Sequence, residues 1–163
     1  MAAKMNFQLL NFYNNLLVNI ALGIFGLTII LIFHGSAINR VLMRFERYTK
    51  QNLAQKQYNR VFFHFYSSFI LFAIIHIFEI LLWGMFMLRL DLIDNPIEAL
   101  LFAGSCYTTV GFITDILPAG WKSLAFFISF TGLFSFAWTT SVMIGMTNIY
   151  KDAWHLKYAN YKW

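Results

Sequence analysis

Cysteine and charge are both scarce in this sequence, and each scarcity removes a class of protein. The single cysteine, Cys106, has no intrachain partner and no second thiol at metal-ligand spacing, which excludes a disulfide scaffold and a cysteine zinc site. Charged residues are only 12% of 163 positions, far below the share of a soluble globular domain. No nucleophile and base constellation, Gly-rich phosphate loop or carboxylate pair occurs, so no enzyme activity is expected. Gly/Ser linkers, repeats and low-complexity tracts are missing too, and a separate soluble domain of ordinary size has no room.

What fills the chain instead is apolar. Hydrophobic residues make up 60% and aromatics 20%, which predicts an all-α membrane protein. Leu16 to Phe33, eighteen residues interrupted only by Asn19, Thr28 and two glycines, matches a first span. The residues before it are neutral and the basic ones follow it, so a retained anchor is expected rather than a cleaved signal peptide. Val61 to Leu88 reads as a second span, longer than a bilayer needs. Ser123 to Tyr150 reads as the third.

Charge orients these spans. The net charge of +5 is compatible with nucleic acid or anionic lipid, so the placement of the cations decides. Gly35 to Arg60 carries Arg40, Arg44, Arg47, Lys50, Lys56 and Arg60 against Glu46 alone, a cytoplasmic signature that requires no nucleic acid. Arg40, Arg44 and Arg47 recur at helical spacing, and both a headgroup-bound helix and a solvated linker fit. Arg89 to Glu98 holds Asp91, Asp94 and Glu98 with one basic residue, as on an outer face. The tail combines Lys151, Lys157 and Lys162 with Trp154, Tyr158, Tyr161 and Trp163, an inner-face anchor. The expected placement is the cell membrane, N-terminus outside and C-terminus cytoplasmic. The expected division is an anchor helix at 1–34, a basic connection at 35–60, a unit of the second and third spans at 61–150 and a basic aromatic tail at 151–163.

One segment is too short to span. Asn95 as N-cap, Pro96 at the first helical position and Glu98 three residues after the cap predict a helix from Pro96. Its apolar run of about a dozen residues is the length of a re-entrant or buried helix. The chain must then return to the same side through "TTVGFITD", with irregular backbone that only protein or a watery path can accommodate. The negative end of the short helix's dipole near Tyr107 favours a cation, and the return strand offers carbonyls.

"TTVGF", Thr108 to Phe112, resembles the filter of potassium channels, to which four subunits each contribute a TVGYG loop. Its surroundings, "HIFEILLWGMF", "ALLFAGSCYTTVGF", "LPAGWKSL" and "GLFSFAW", are similar to small bacterial membrane proteins with a potassium-channel-type pore. The likeness covers roughly the last three fifths of the chain and leaves the first span outside the pore unit. It implies a re-entrant pore helix and filter-like loop between the second and third spans, a homotetramer, and potassium ions as permeant ligand with no other cofactor. Residue by residue, it implies Thr109, Val110, Gly111, Phe112 and Ile113 as filter positions, with carbonyls facing the ions and the Thr109 hydroxyl innermost. Thr108, Glu79 and Trp83 would support the filter. Two departures stand out: Ile113 occupies the place of the family's second glycine, and Thr114 that of the following aspartate, with Asp115 one position later. A β-branched residue resists the positive φ that glycine permits there.

Three functional readings therefore stay open: a potassium pore, a cation pore of weaker selectivity, and a non-conducting membrane subunit or scaffold on the same fold. Participation in a larger membrane complex is compatible with each. An ionisable residue inside a span is a functional candidate by default, which singles out Glu79. His76 sits one turn earlier on the same face, but the other spans supply no further carboxylates and no metal centre is expected. Glu79 is expected behind the short helix or filter, accepting hydrogen bonds from groups such as Ser105, Thr108 or Trp83.

Overall fold

The computed structural model describes residues 2–159 except Thr114, Asp115 and Ala119, with side chains from Leu16 onward. The expectations placed on Thr114, Asp115, Tyr161, Lys162 and Trp163 lie outside the described residues. Among the described residues the chain forms four helices: α1 Ala2–Ala54, α2 Tyr58–Arg89, α3 Pro96–Tyr107 and α4 Leu124–Tyr158. No strand occurs among the described residues. Leu16–Ala54, Tyr58–Arg89 and Leu124–Tyr158 are long and apolar enough to cross a membrane, so by length and composition this is a multi-pass membrane protein.

The basic stretch after the first span is helical as far as Ala54, and it continues α1 without a break. The reason is a stripe that the arginines mask. Ile38, Val41, Phe45, Thr49 and Asn52 recur three and four apart and are all buried, while Arg40, Arg44 and Arg47 occupy the exposed face. No Gly or Pro interrupts residues 36–54.

The helix ends share one device. After α1, Lys56 takes a left-handed φ of 54°, with Gln57 N donating to Asn52 O at 2.8 Å and Lys56 N to Leu53 O at 3.0 Å. After α2, Asp91 does the same at φ 51°, with Leu92 N on Met87 O at 3.1 Å and Asp91 N on Leu88 O at 3.2 Å. Both are complete Schellman motifs built without glycine. Leu92 and Met87 share one buried cluster, the apolar contact that accompanies this turn.

Two compact units divide the chain, and each of α1, α2 and α4 contributes to both. One comprises the residues up to Ile32 with Phe78–Phe134; the other comprises Phe33–Ile77 with the residues from Ser135 onward. In the first, the core is Trp83, Met87, Phe102, Tyr107, Leu124 and Ile128 with their neighbours. The glycines of α1 act as sockets there. A Cβ on Gly26 would stand 2.7 Å from the Trp83 ring, and one on Gly23 would stand 2.2 Å from Phe127. Lipid is as apolar as these rings, so the gain lies in close van der Waals packing. The first span is thus packed into the unit that carries α3. In the second unit, Ile38, Phe45, Phe65, Phe72 and Met146 form the core, and Gly35 receives Trp138 in the same manner.

Candidate functional site

The short helix α3 begins where its sequence predicts. Asn95 is extended (φ −90°, ψ 118°), and its side chain accepts from Ile97 N at 2.9 Å, with Pro96 next in the first helical position. Ala99, Phe102, Ala103, Ser105, Cys106 and Tyr107 are its buried residues.

Its C-terminus is where the geometry becomes unusual. Thr108 N and Thr108 Oγ1 both donate to Gly104 O, at 3.0 Å and 2.7 Å. Thr109 N donates to Cys106 O at 2.9 Å, and Ser129 Oγ on α4 reaches the same oxygen at 2.9 Å. Thr109 has φ 60°, so a β-branched residue occupies the left-handed region, a true conformational outlier. The second bond of the motif falls one residue late: Gly111 N, not Val110 N, donates to Ser105 O at 3.2 Å. Gly111 takes φ 67°, which glycine adopts at no steric cost. The Tyr107 carbonyl packs on α4 so closely that a Cβ at Gly132 would stand 2.0 Å from its oxygen. The oxygens of Gly104, Ser105 and Cys106 are thus engaged by donors, and any cation near this end meets the field of the helix rather than those three carbonyls.

Beyond the turn, Thr108, Thr109, Val110, Gly111 and Phe112 form one continuous exposed arc, with Val110 68% and Phe112 63% accessible. Ile113 is half-buried against the core, and its N–H donates to Ser105 Oγ at 3.4 Å. A cavity of ≈ 340 Å³ lies beside the arc, lined among others by Ser105, Thr109, Gly111, Ile113, Lys122 and Ser129.

Glu79 and Trp83 are fully buried on α2. Glu79 accepts a hydrogen bond of 2.5 Å from Tyr107 Oη, at the short end of the range for hydroxyl donors to carboxylates. That donor differs from Ser105, Thr108 and Trp83. The Ser105 hydroxyl accepts from Ile113, the Thr108 hydroxyl is spent on Gly104, and the Trp83 ring is turned into the Gly26 socket. Trp83 Nε1 is buried with no hydrogen-bond partner, and its ring stands edge-on to Phe86 at 89°. Trp83 therefore supports α3 by packing, and Glu79 by bracing the last residue of the helix. Asn19 of α1, buried at 1% exposure, donates from Nδ2 to Gly120 O and ties the loop after the arc to the first span. Of these contacts, the sequence pointed only to the polar character of Asn19 and Glu79.

The second unit holds a polar cluster of its own. Thr139 Oγ1 lies 3.0 Å from His76 Nε2 and 3.4 Å from His34 Nε2, and the two imidazoles are 5.4 Å apart. Phe136 stacks on His76 at 4.6 Å, and Trp138 packs beside His34 at 5.9 Å. A hydroxyl carries one proton, so when it donates to one ring the other ring must donate to it. Neither His34 nor Thr139 stood out in the sequence, since nothing local links residues 105 apart.

Compared with protein-family models, curated proteins and solved structures, the chain matches none.

Proposed function

We propose that several copies of this chain, four by resemblance to potassium channels, meet around an axis so that Thr109 to Phe112 line a pore for monovalent cations, potassium first. The observation that carries this reading is Thr109. A β-branched residue held at φ 60° costs on the order of 1–3 kcal/mol, and such strain gathers at sites with a task. It lies in the exposed arc Thr108 to Phe112, whose sequence is TTVGF. Carbonyls in a ring can replace the water shell of an ion, and one chain supplies only one strand of that ring. The Tyr107–Glu79 bond and the Tyr107–Gly132 contact hold the base of the arc from behind, the rigid support that a selective site requires.

A second reading, a non-conducting membrane subunit, draws on Ile113. Its side chain packs toward the core and its N–H is bound to Ser105, so the fifth position serves the protein's own interior. Purified protein in liposomes separates the two. Cation-selective rubidium uptake is expected from the pore; no uptake from a verified oligomer leaves the scaffold. In Ile113→Gly, selectivity for potassium over sodium is expected to sharpen, and an unchanged profile would mean that this position is not coupled to the other four.

A further inference from the structure

The turn between α1 and α2 borders a cavity of ≈ 390 Å³ that has no part in the chemistry above. Lys56, Arg60 and Lys157 line it with Gln57, Tyr58 and Asn59, and no lining residue is acidic. The cations come from separate stretches: Lys56 from the turn, Arg60 from the start of α2 and Lys157 from the last turn of α4. Like charges around one cavity repel, yet Lys157 is held in place. Its Nζ donates to Asn59 Oδ1 at 2.7 Å and lies 5.3 Å and 4.8 Å from the ring centroids of Phe62 and Tyr158. Trp154 packs 5.4 Å from Phe62 and 4.7 Å from Tyr158, so a group of aromatic rings adjoins the cations. That pairing of rings and cations is the composition of a membrane–water boundary.

We propose that this cavity binds the phosphate of an anionic phospholipid headgroup. Basic pockets between membrane-spanning helices hold such headgroups, and the planar fork of Arg60 suits phosphate oxygens. A lipid also uses what a free phosphate does not: the rings of Phe62, Trp154 and Tyr158 offer apolar surface beside the charge. The site does not depend on whether the pore conducts.

The test titrates the full chain, delipidated in mild detergent, with phosphatidylglycerol and with phosphatidylcholine of the same acyl chains, read by native mass spectrometry. Parallel arms use glycerol 1-phosphate and inorganic phosphate. Phosphatidylglycerol is expected to bind on the order of tenfold more tightly than phosphatidylcholine, with the preference eroding as ionic strength rises. Combining Lys56→Gln, Arg60→Gln and Lys157→Gln is expected to reduce the preference to within about twofold. Combining Arg40→Gln, Arg44→Gln and Arg47→Gln, on the exposed face of α1, is expected to leave it intact. Should the first combination fail to fold, Arg60→Gln alone is expected to lower the preference severalfold. Equal affinity for the two lipids overturns the proposal. So does a preference that survives at the altered site, or soluble phosphate binding as tightly as the anionic lipid.

Discussion

The turns that close α2 and α3 start alike and end differently. Both place a residue other than glycine in the left-handed region, Asp91 after α2 and Thr109 after α3. Asp91 tolerates this conformation, its turn closes with both Schellman bonds, and Leu92 seals it against Met87. Thr109 is β-branched, its second bond slips to Gly111, and Val110 and Phe112 face outward where a seal would be. One turn ends a helix economically. The other retains a costly conformation without that closure, which is why the second carries the functional reading.

Five substitutions break or sharpen the contrast. The largest effect is expected at Gly132, where a methyl group would collide with the Tyr107 carbonyl rather than with a movable side chain. Gly132→Ala should cost at least about 3 kcal/mol or abolish folding, read as the thermal unfolding midpoint in mild detergent. Leu92→Ala comes next, destabilising by about 2 kcal/mol through a cavity under the α2 turn. Cation flux per folded protein should be unchanged, because that turn only seals the core. Tyr107→Phe removes one donor from buried Glu79 and should cost about 1–2 kcal/mol. Unlike Leu92→Ala, it should also lower flux per folded protein, since the brace behind the arc is loosened. The smallest effects compare the turns directly. Thr109→Gly should stabilise by about 1 kcal/mol while losing ion selectivity, whereas Asp91→Gly should change stability by only a few tenths of a kcal/mol. Equal gains from the two would mean that Thr109 is not strained.

The contrast also shows what local sequence can carry. The start of α3 was legible because Asn95 and Pro96 act within a few residues, and the spans were legible because each helix holds an apolar run long enough to cross the hydrocarbon layer. The run of α1 through its arginines was hidden, since only the period of Ile38, Val41 and Phe45, not overall polarity, reports it. The partner of Glu79 was misplaced for a different reason. Ser105, Thr108 and Trp83 were the donors expected of a carboxylate behind the short helix, but their commitments to Ile113, Gly104 and Gly26 are decided by packing. The sockets at Gly23 and Gly26 pack the first span against Phe127 and Trp83, in the unit that carries α3. Close approach of helices in a membrane leaves a small residue as its trace, yet a lone glycine does not say which ring will fill it.

The central claim is that Thr109 to Phe112 conduct cations in an assembly of several chains. The most direct measurement is the reversal potential of the purified, verified oligomer in a planar bilayer, with potassium on one side and sodium on the other. Currents carried by cations, with a reversal potential displaced in the direction of potassium selectivity and abolished by a charge placed at Gly111, are the expected result. A silent oligomer, or currents indifferent to a change at Gly111, would contradict it.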